Sequence, residues 1–165
     1  MKSRICSAAA ALLMIGLLAC ALPLTVPRLL GWRVYTVLTT SMTPALLVGS
    51  AVYVKECDPA ALLPGDVVTY SKGAGSVVTE THRVVSNDVT GGRLTTKGDA
   101  NAGADNYPVL YSQVLGVVAF SVPCLGAVAA ALQSPGGVIV CIVIFALAFL
   151  LWALADKFKK RESFK

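Results

Sequence analysis

Two uncharged apolar runs, one near each end of the chain, are the feature that most constrains how this sequence can fold. Ile5 to Leu22 and Val138 to Ala155 each contain 18 residues without a charged side chain. About 20 apolar residues in a helix cross the roughly 30 Å hydrocarbon core of a bilayer. The chain as a whole is 14% charged, whereas soluble domains carry about 25% charged residues. We therefore predict a transmembrane helix at each end, over residues 5–22 and 138–155.

The positive charges lie on the terminal side of both apolar runs. Lys2 and Arg4 precede the first run, and a basic tail over residues 156–165 follows the second. The positive-inside rule accounts for this placement of the +5 net charge better than phosphate binding does. We expect no nucleic-acid partner. Both ends are then cytoplasmic, and residues 24–136 form one extracytoplasmic domain.

The first apolar run has a second interpretation, as a signal peptide that is cleaved off. A short basic start followed by an apolar run is typical of such segments. Leu17-Leu18-Ala19-Cys20 also resembles a lipoprotein cleavage site, which would make Cys20 a lipid anchor. A retained membrane anchor is favoured because no long polar linker separates this run from the domain. The alternative stays open at this point.

The polar middle of the chain predicts a mainly β fold. Several segments are rich in Val, Tyr and Thr, and some alternate apolar with polar residues, the period of a half-buried strand. The predicted strands are Arg33–Leu38, Ala51–Lys55, Val67–Ser71, Val77–Val85, Arg93–Thr96 and Val114–Phe120. Predicted turns separate them at Pro64-Gly65-Asp66, Gly73-Ala74-Gly75, Asn87-Asp88 and Gly91-Gly92.

The five cysteines predict neither a metal site nor a disulfide framework, because their number is odd and their spacing fits no metal-ligand pattern. Cys57 and Cys124 are the two that fall in the polar middle. They could pair if this region is extracytoplasmic, or they could be small apolar packing residues. No cofactor and no metal are expected.

Four polar residues supply the parts of a hydroxyl nucleophile with its base. Ser41 follows the first predicted strand, and the only histidine of the chain, His82, comes later, before Asp99 and Asp105. A serine needs a group that takes its proton, and imidazole is well matched to this near neutral pH. A carboxylate then orients the imidazole. Each residue alone is also typical of a turn or a strand surface.

The sequence around these residues resembles type I signal peptidases in four stretches that occur in the family's order. The matching stretches are Thr40-Ser41-Met42-Thr43-Pro44, Pro64-Gly65-Asp66-Val67-Val68, Thr81-His82-Arg83-Val84-Val85 and Thr96-Lys97-Gly98-Asp99-Ala100-Asn101 with Asp105 beyond. The resemblance covers roughly residues 33–120. His82 stands where most bacterial members have lysine, as in the eukaryotic, archaeal and some spore-former enzymes.

The resemblance implies a small signal-peptidase-like β-domain that acts as a serine endopeptidase, whereas the C-terminal membrane helix is predicted from hydropathy alone. Ser41 would be the nucleophile that cuts signal peptides from secreted preproteins, and His82 would be its general base. Asp105 is favoured as the carboxylate that orients His82, with Asp99 shaping the loop. The resemblance also suggests that the Ser41 N–H and the Thr39 hydroxyl stabilise the oxyanion.

Substrate is expected at an exposed strand edge, with the strand Val77–Val85 and the segment before Ser41 as candidate walls. The expected partners are signal peptides of secreted preproteins and the lipid bilayer, and further subunits are left open. The location would be the cell membrane in a prokaryote, which the short loops favour, or the endoplasmic reticulum membrane in a eukaryote.

Two alternatives compete with this interpretation. In the first, the chain is a non-enzymatic, membrane-anchored β-domain for binding or scaffolding. In the second, the chain is a protease in which Lys97, the lysine close to the other motifs, replaces His82 as the base of Ser41.

Overall fold

The computed structural model of the chain describes residues 2–73 and 76–163. The Cα positions separate into a helical unit, built from both ends of the chain, and a β-rich unit, Val26–Ala127. Ala74 and Gly75, in one of the predicted turns, and Phe164 and Lys165, in the predicted basic tail, lie outside the described residues.

Two long apolar helices supply most of the helical unit. Helix α1 covers Lys2–Leu29 and helix α3 covers Pro135–Ser163. Among the described residues, these are the two helices long and apolar enough to cross a membrane, judged by length and composition. Both continue beyond the predicted ranges 5–22 and 138–155, and α1 runs through Pro23. The sequence interpretation did not predict helix α2, Leu125–Gln133.

The β-rich unit is one antiparallel sheet that contains seven strands within the described residues. Their order across the sheet is β1-β2-β7-β3-β4-β5-β6. The strands are β1 Arg33–Thr36, β2 Ala51–Lys55, β3 Val67–Ser71, β4 Thr79–Asp88, β5 Arg93–Lys97, β6 Val109–Leu110 and β7 Val114–Val122. A mainly β domain flanked by N- and C-terminal apolar helices is therefore the fold of this chain.

Strand bounds follow the sequence pattern closely in β2 and β3, which have the predicted ends. The prediction is wrong at β4, which begins at Thr79 rather than Val77 and continues through Asn87 and Asp88, expected as a turn. A register shift between Val84 and Ser86 lets the strand continue along β5. The chain turns only after Asp88, over residues 89–92.

Two apolar clusters of buried residues pack within the β-rich unit. One contains Leu62, Val68, Tyr70, Val84, Leu94 and Val109. The other contains Val37, Met42, Leu46 and Val52. Since Met42 is 2% exposed, the residue that follows Ser41 is fixed in the second cluster.

The two cysteines of the β-rich unit are not paired in the described structure, and Cys57 is the one that packs in the core. Cys57 packs against the first cluster, and its burial raises the pKa of the thiol. Cys124 is exposed, and among the described residues both are free thiols. The disulfide that the sequence left open between them is absent from the described structure.

Candidate active site

Ser41 lies in the loop that follows β1, held from two sides. The buried Met42 side chain anchors the residue after it, and the Thr43–Pro44 peptide bond is cis. On the other side, the Ser41 carbonyl oxygen accepts a hydrogen bond of 2.8 Å from the Ala100 N–H. The loop before β6 and the loop after β1 are thereby joined at the serine.

His82 lies on a strand of the sheet and not in a loop. It lies in β4 opposite Val68 of β3, and it is 3% exposed. Its Nε2 atom is 3.2 Å from the Ser41 Oγ atom, within hydrogen-bond range. The predicted proximity of the lone imidazole to Ser41 is therefore present in the structure.

Asp105 contacts the other nitrogen of the imidazole. Its Oδ2 atom lies 2.6 Å from His82 Nδ1. Two bonds from Thr96 of β5 fix the aspartate: the Thr96 carbonyl oxygen accepts from the Asp105 N–H at 2.8 Å, and the Thr96 hydroxyl donates to Oδ2 at 2.6 Å. An Nδ1–H donated to Asp105 leaves Nε2 free to accept the Ser41 proton.

Asp99 is directed to a different partner. The Arg83 guanidinium donates to both of its carboxylate oxygens, at 2.8 Å and 2.6 Å, and also to the Gly65 carbonyl oxygen at 2.7 Å. The hydrogen bonds from Arg83 hold the pKa of Asp99 below its usual value. Arg83 of the third motif thus contacts Gly65 of the second and Asp99 of the fourth. The sequence analysis did not predict this link.

Thr39 and Lys97, the other predicted candidates, have different hydrogen-bond partners. The Thr39 hydroxyl oxygen is 3.2 Å from Ser41 Oγ, and the side chain is exposed. The Lys97 ammonium donates to the Ala102 carbonyl oxygen at 3.3 Å, so it is engaged within its own loop. Of the two candidate bases, His82 is the one whose side chain lies within hydrogen-bond distance of Ser41 Oγ in the described residues.

A cleft of about 240 Å³ opens beside Ser41. Its walls come from the segment Tyr35–Thr39 and from Val78–Thr81, with Met42, Leu46 and Val52 below. β4 pairs with β3 over Thr79–Arg83, whereas its pairing with β5 begins at Arg83. In the described residues, the Thr79–His82 edge that faces away from β3 is therefore unpaired, and the two predicted walls line this cleft.

Comparison with known proteins shows a similarity to a signal peptidase over half of this chain. Signal peptidase I W of Bacillus subtilis (strain 168) is 42% identical to this chain over 86 residues, which cover 50% of the chain and 44% of that protein. The chain thus spans less than half the length of this curated relative. No family model matches the chain. The similarity confirms the resemblance to type I signal peptidases that the four motifs predicted.

Proposed function

We propose that this chain is a membrane-bound serine endopeptidase that removes N-terminal signal peptides from secreted preproteins. The observation that carries the proposal is the continuous contact from Ser41 Oγ through the His82 imidazole to Asp105. This arrangement of hydroxyl, imidazole and carboxylate suits nucleophilic acyl transfer. The similarity to a signal peptidase supports the choice of substrate.

The proposed reaction proceeds through an acyl-enzyme. Ser41 Oγ attacks the scissile carbonyl carbon while His82 Nε2 takes the hydroxyl proton, and Asp105 stabilises the imidazolium that results. The imidazolium then gives this proton to the leaving amine, the new N-terminus of the mature protein. Water, deprotonated by the same Nε2 atom, hydrolyses the ester and releases the signal peptide with a free carboxylate.

The oxyanion of each tetrahedral intermediate needs donors at a fixed place. We assign this role to the Ser41 N–H and the Thr39 hydroxyl. The Thr39 and Ser41 side-chain oxygens are 3.2 Å apart, which supports the assignment. The oxyanion forms on the carbon atom that becomes bonded to Ser41 Oγ, so it lies close to the Thr39 hydroxyl.

The substrate would bind as an added strand. The unpaired edge of Thr79–His82 offers backbone donors and acceptors to an extended peptide. The cleft between this edge and the segment before Ser41 is small and apolar at its base, which favours small side chains next to the scissile bond. Leu38 and Val78, on opposite walls, would flank the peptide.

Membrane attachment would bring the nucleophile to the place where its substrate is cut. In the proposed topology, residues 5–22 and 138–155 cross the bilayer, residues 24–136 are extracytoplasmic, and the basic tail is cytoplasmic. The apolar stretch of a signal peptide lies in the same bilayer, so anchoring raises the effective concentration of the two partners.

The test is cleavage of a preprotein by the purified full chain in lipid vesicles. We expect product from the wild-type chain and none from Ser41→Ala. Ser86→Ala, which removes an exposed hydroxyl from β4, is the matched control and should keep full activity. Equal activity of the wild type and Ser41→Ala, or an inactive wild type that still binds the preprotein, would favour the non-enzymatic alternative.

A further inference from the structure

The Tyr70 hydroxyl lies near the Nδ1 atom of His82, on the side of the imidazole away from Ser41. Tyr70 is not part of the four sequence motifs. Its oxygen is 3.3 Å from His82 Nδ1 and 3.2 Å from Asp105 Oδ2. It is also 3.2 Å from Glu80 Oε2. Since Tyr70 is 5% exposed, this phenol is buried between two carboxylates.

We infer that Tyr70 is a positioning residue for the Ser41–His82–Asp105 site. Its hydroxyl is itself positioned by the contact with Glu80. The inference depends on the proposed function, because it assigns Tyr70 a part in that same reaction. Tyr70 lies in β3 opposite Glu80 of β4, and Val68, two residues earlier on the same strand, lies opposite His82. The sheet register therefore fixes the phenol beside the imidazole.

The position of Asp105 explains why a further donor matters. Its Oδ2 atom receives the His82 Nδ1–H and the Thr96 hydroxyl, both at 2.6 Å. The Tyr70 hydroxyl is the third donor at the same oxygen. Three donors from β3, β4 and β5 leave this oxygen little freedom to rotate away from the imidazole.

The phenol keeps its proton, which allows it to donate to a carboxylate. Burial, together with the negative charges of Glu80 and Asp105, raises the pKa of Tyr70 above its ordinary value. The neutral hydroxyl has one proton, and both the Glu80 and the Asp105 carboxylate lie within range to accept it. Without it, more of the Asp105 charge would act on His82 and favour the imidazolium.

Two ion pairs also include residues that neighbour His82 in the sheet or along the chain. Glu80 forms an ion pair with Lys72 at 3.1 Å, and Asp99 forms one with Arg83 at 2.6 Å. Removing the Tyr70 hydroxyl leaves both pairs intact. The change in the electrostatic field at His82 would then come from Asp105 and Glu80, the two carboxylates that lose the phenol as a donor.

The experiment compares Tyr70→Phe with Tyr111→Phe in the full chain in lipid vesicles. Tyr111 donates its hydroxyl to Asn87, so its variant loses a phenol hydroxyl without touching Asp105. For Tyr70→Phe we expect kcat to fall about tenfold, equivalent to about 1.4 kcal/mol, with KM within about twofold. The acidic limb of its pH–rate profile should move to higher pH by about half a unit. Tyr111→Phe should show neither effect.

Glu80→Gln provides a second measurement that leaves the buried phenol in place. Loss of its negative charge should move the acidic limb to lower pH, opposite to Tyr70→Phe. Circular dichroism and thermal unfolding show whether each variant folds. An active wild type with unchanged kcat and pH profile in Tyr70→Phe would overturn this inference alone. An inactive wild type would overturn the proposed function first.

Discussion

Gly98 lies directly against the carbonyl oxygen of Ser41. A Cβ atom at Gly98 would stand 2.7 Å from that oxygen and 2.7 Å from Asn101 Nδ2. Real Cβ atoms essentially never approach so closely, so a side chain here would separate the loop before β6 from the serine loop. The glycine of the fourth motif therefore has a steric role at the proposed nucleophile.

This contact predicts that Gly98→Ala lowers cleavage by about 10²-fold, because small displacements of reacting groups are costly. The matched control is Gly103→Ala in the same loop, where an added Cβ meets nothing within 4 Å. Initial rates on the same preprotein check the prediction. Equal rates for the two variants would mean that the close approach does not position Ser41.

His82 and Lys97 are distinguished as bases by removing each in turn. We expect His82→Ala to lower kcat by about 10²–10⁴-fold, the usual contribution of a general base. Lys97→Ala should retain most activity, because its ammonium is bonded to the Ala102 carbonyl oxygen. Single-turnover kinetics measure the acylation step directly. The opposite ranking would assign the base to Lys97.

The Thr39 hydroxyl is expected to act in the transition state rather than in substrate binding. Thr39→Val should lower kcat by about 10²-fold while KM changes little, as observed when one oxyanion donor is lost. Thr90→Val, in the exposed turn after β4, is the control with the same chemical change. A rise in KM at constant kcat would place Thr39 in ground-state binding instead.

The ion pair of Arg83 and Asp99 predicts a pH-dependent contribution to stability. The pKa of Asp99 is held below its ordinary value of 3.8 by Arg83, so the stabilisation is complete above that value. It is lost as the pH falls through the depressed pKa. Asp99→Asn should cost about 1 kcal/mol at neutral pH, a modest value because Arg83 is 37% exposed.

Thermal unfolding at pH 7 and below pH 3 measures this contribution. The difference between the wild type and Asp99→Asn should shrink at the lower pH. Asp88→Asn removes the more exposed pair with Arg93 and serves as control, with little effect expected at neutral pH. A difference that grows on acidification would contradict the assigned sign.

The sequence predicted those features that depend on local pattern and missed those that depend on register. β2 and β3 have the predicted ends, because each is a short β-branched and aromatic run bounded by polar or turn residues. β6 contains only Val109 and Leu110, too short to show a period. β4 continued past its predicted turn because pairing with β5 outweighed the turn preference of Asn87 and Asp88.

The part of Tyr70 could not be read from the sequence for the same reason. The alternation in β3 puts Tyr70 on the same face as Val68, and this much is visible in the chain. That Val68 lies opposite His82 is a matter of strand register, which no local pattern supplies. Likewise, the six-residue separation of Asp99 and Asp105 did not reveal that they face different partners.

The loop that carries both acids is fastened at two points, by Ala100 to the Ser41 carbonyl and by Asp105 to the Thr96 carbonyl. The number of residues between these two points is therefore constrained. One residue inserted or deleted there would leave the imidazole in place on its strand, yet detach either the hydroxyl or the carboxylate from it. Natural variants of this loop should therefore differ in composition more readily than in length.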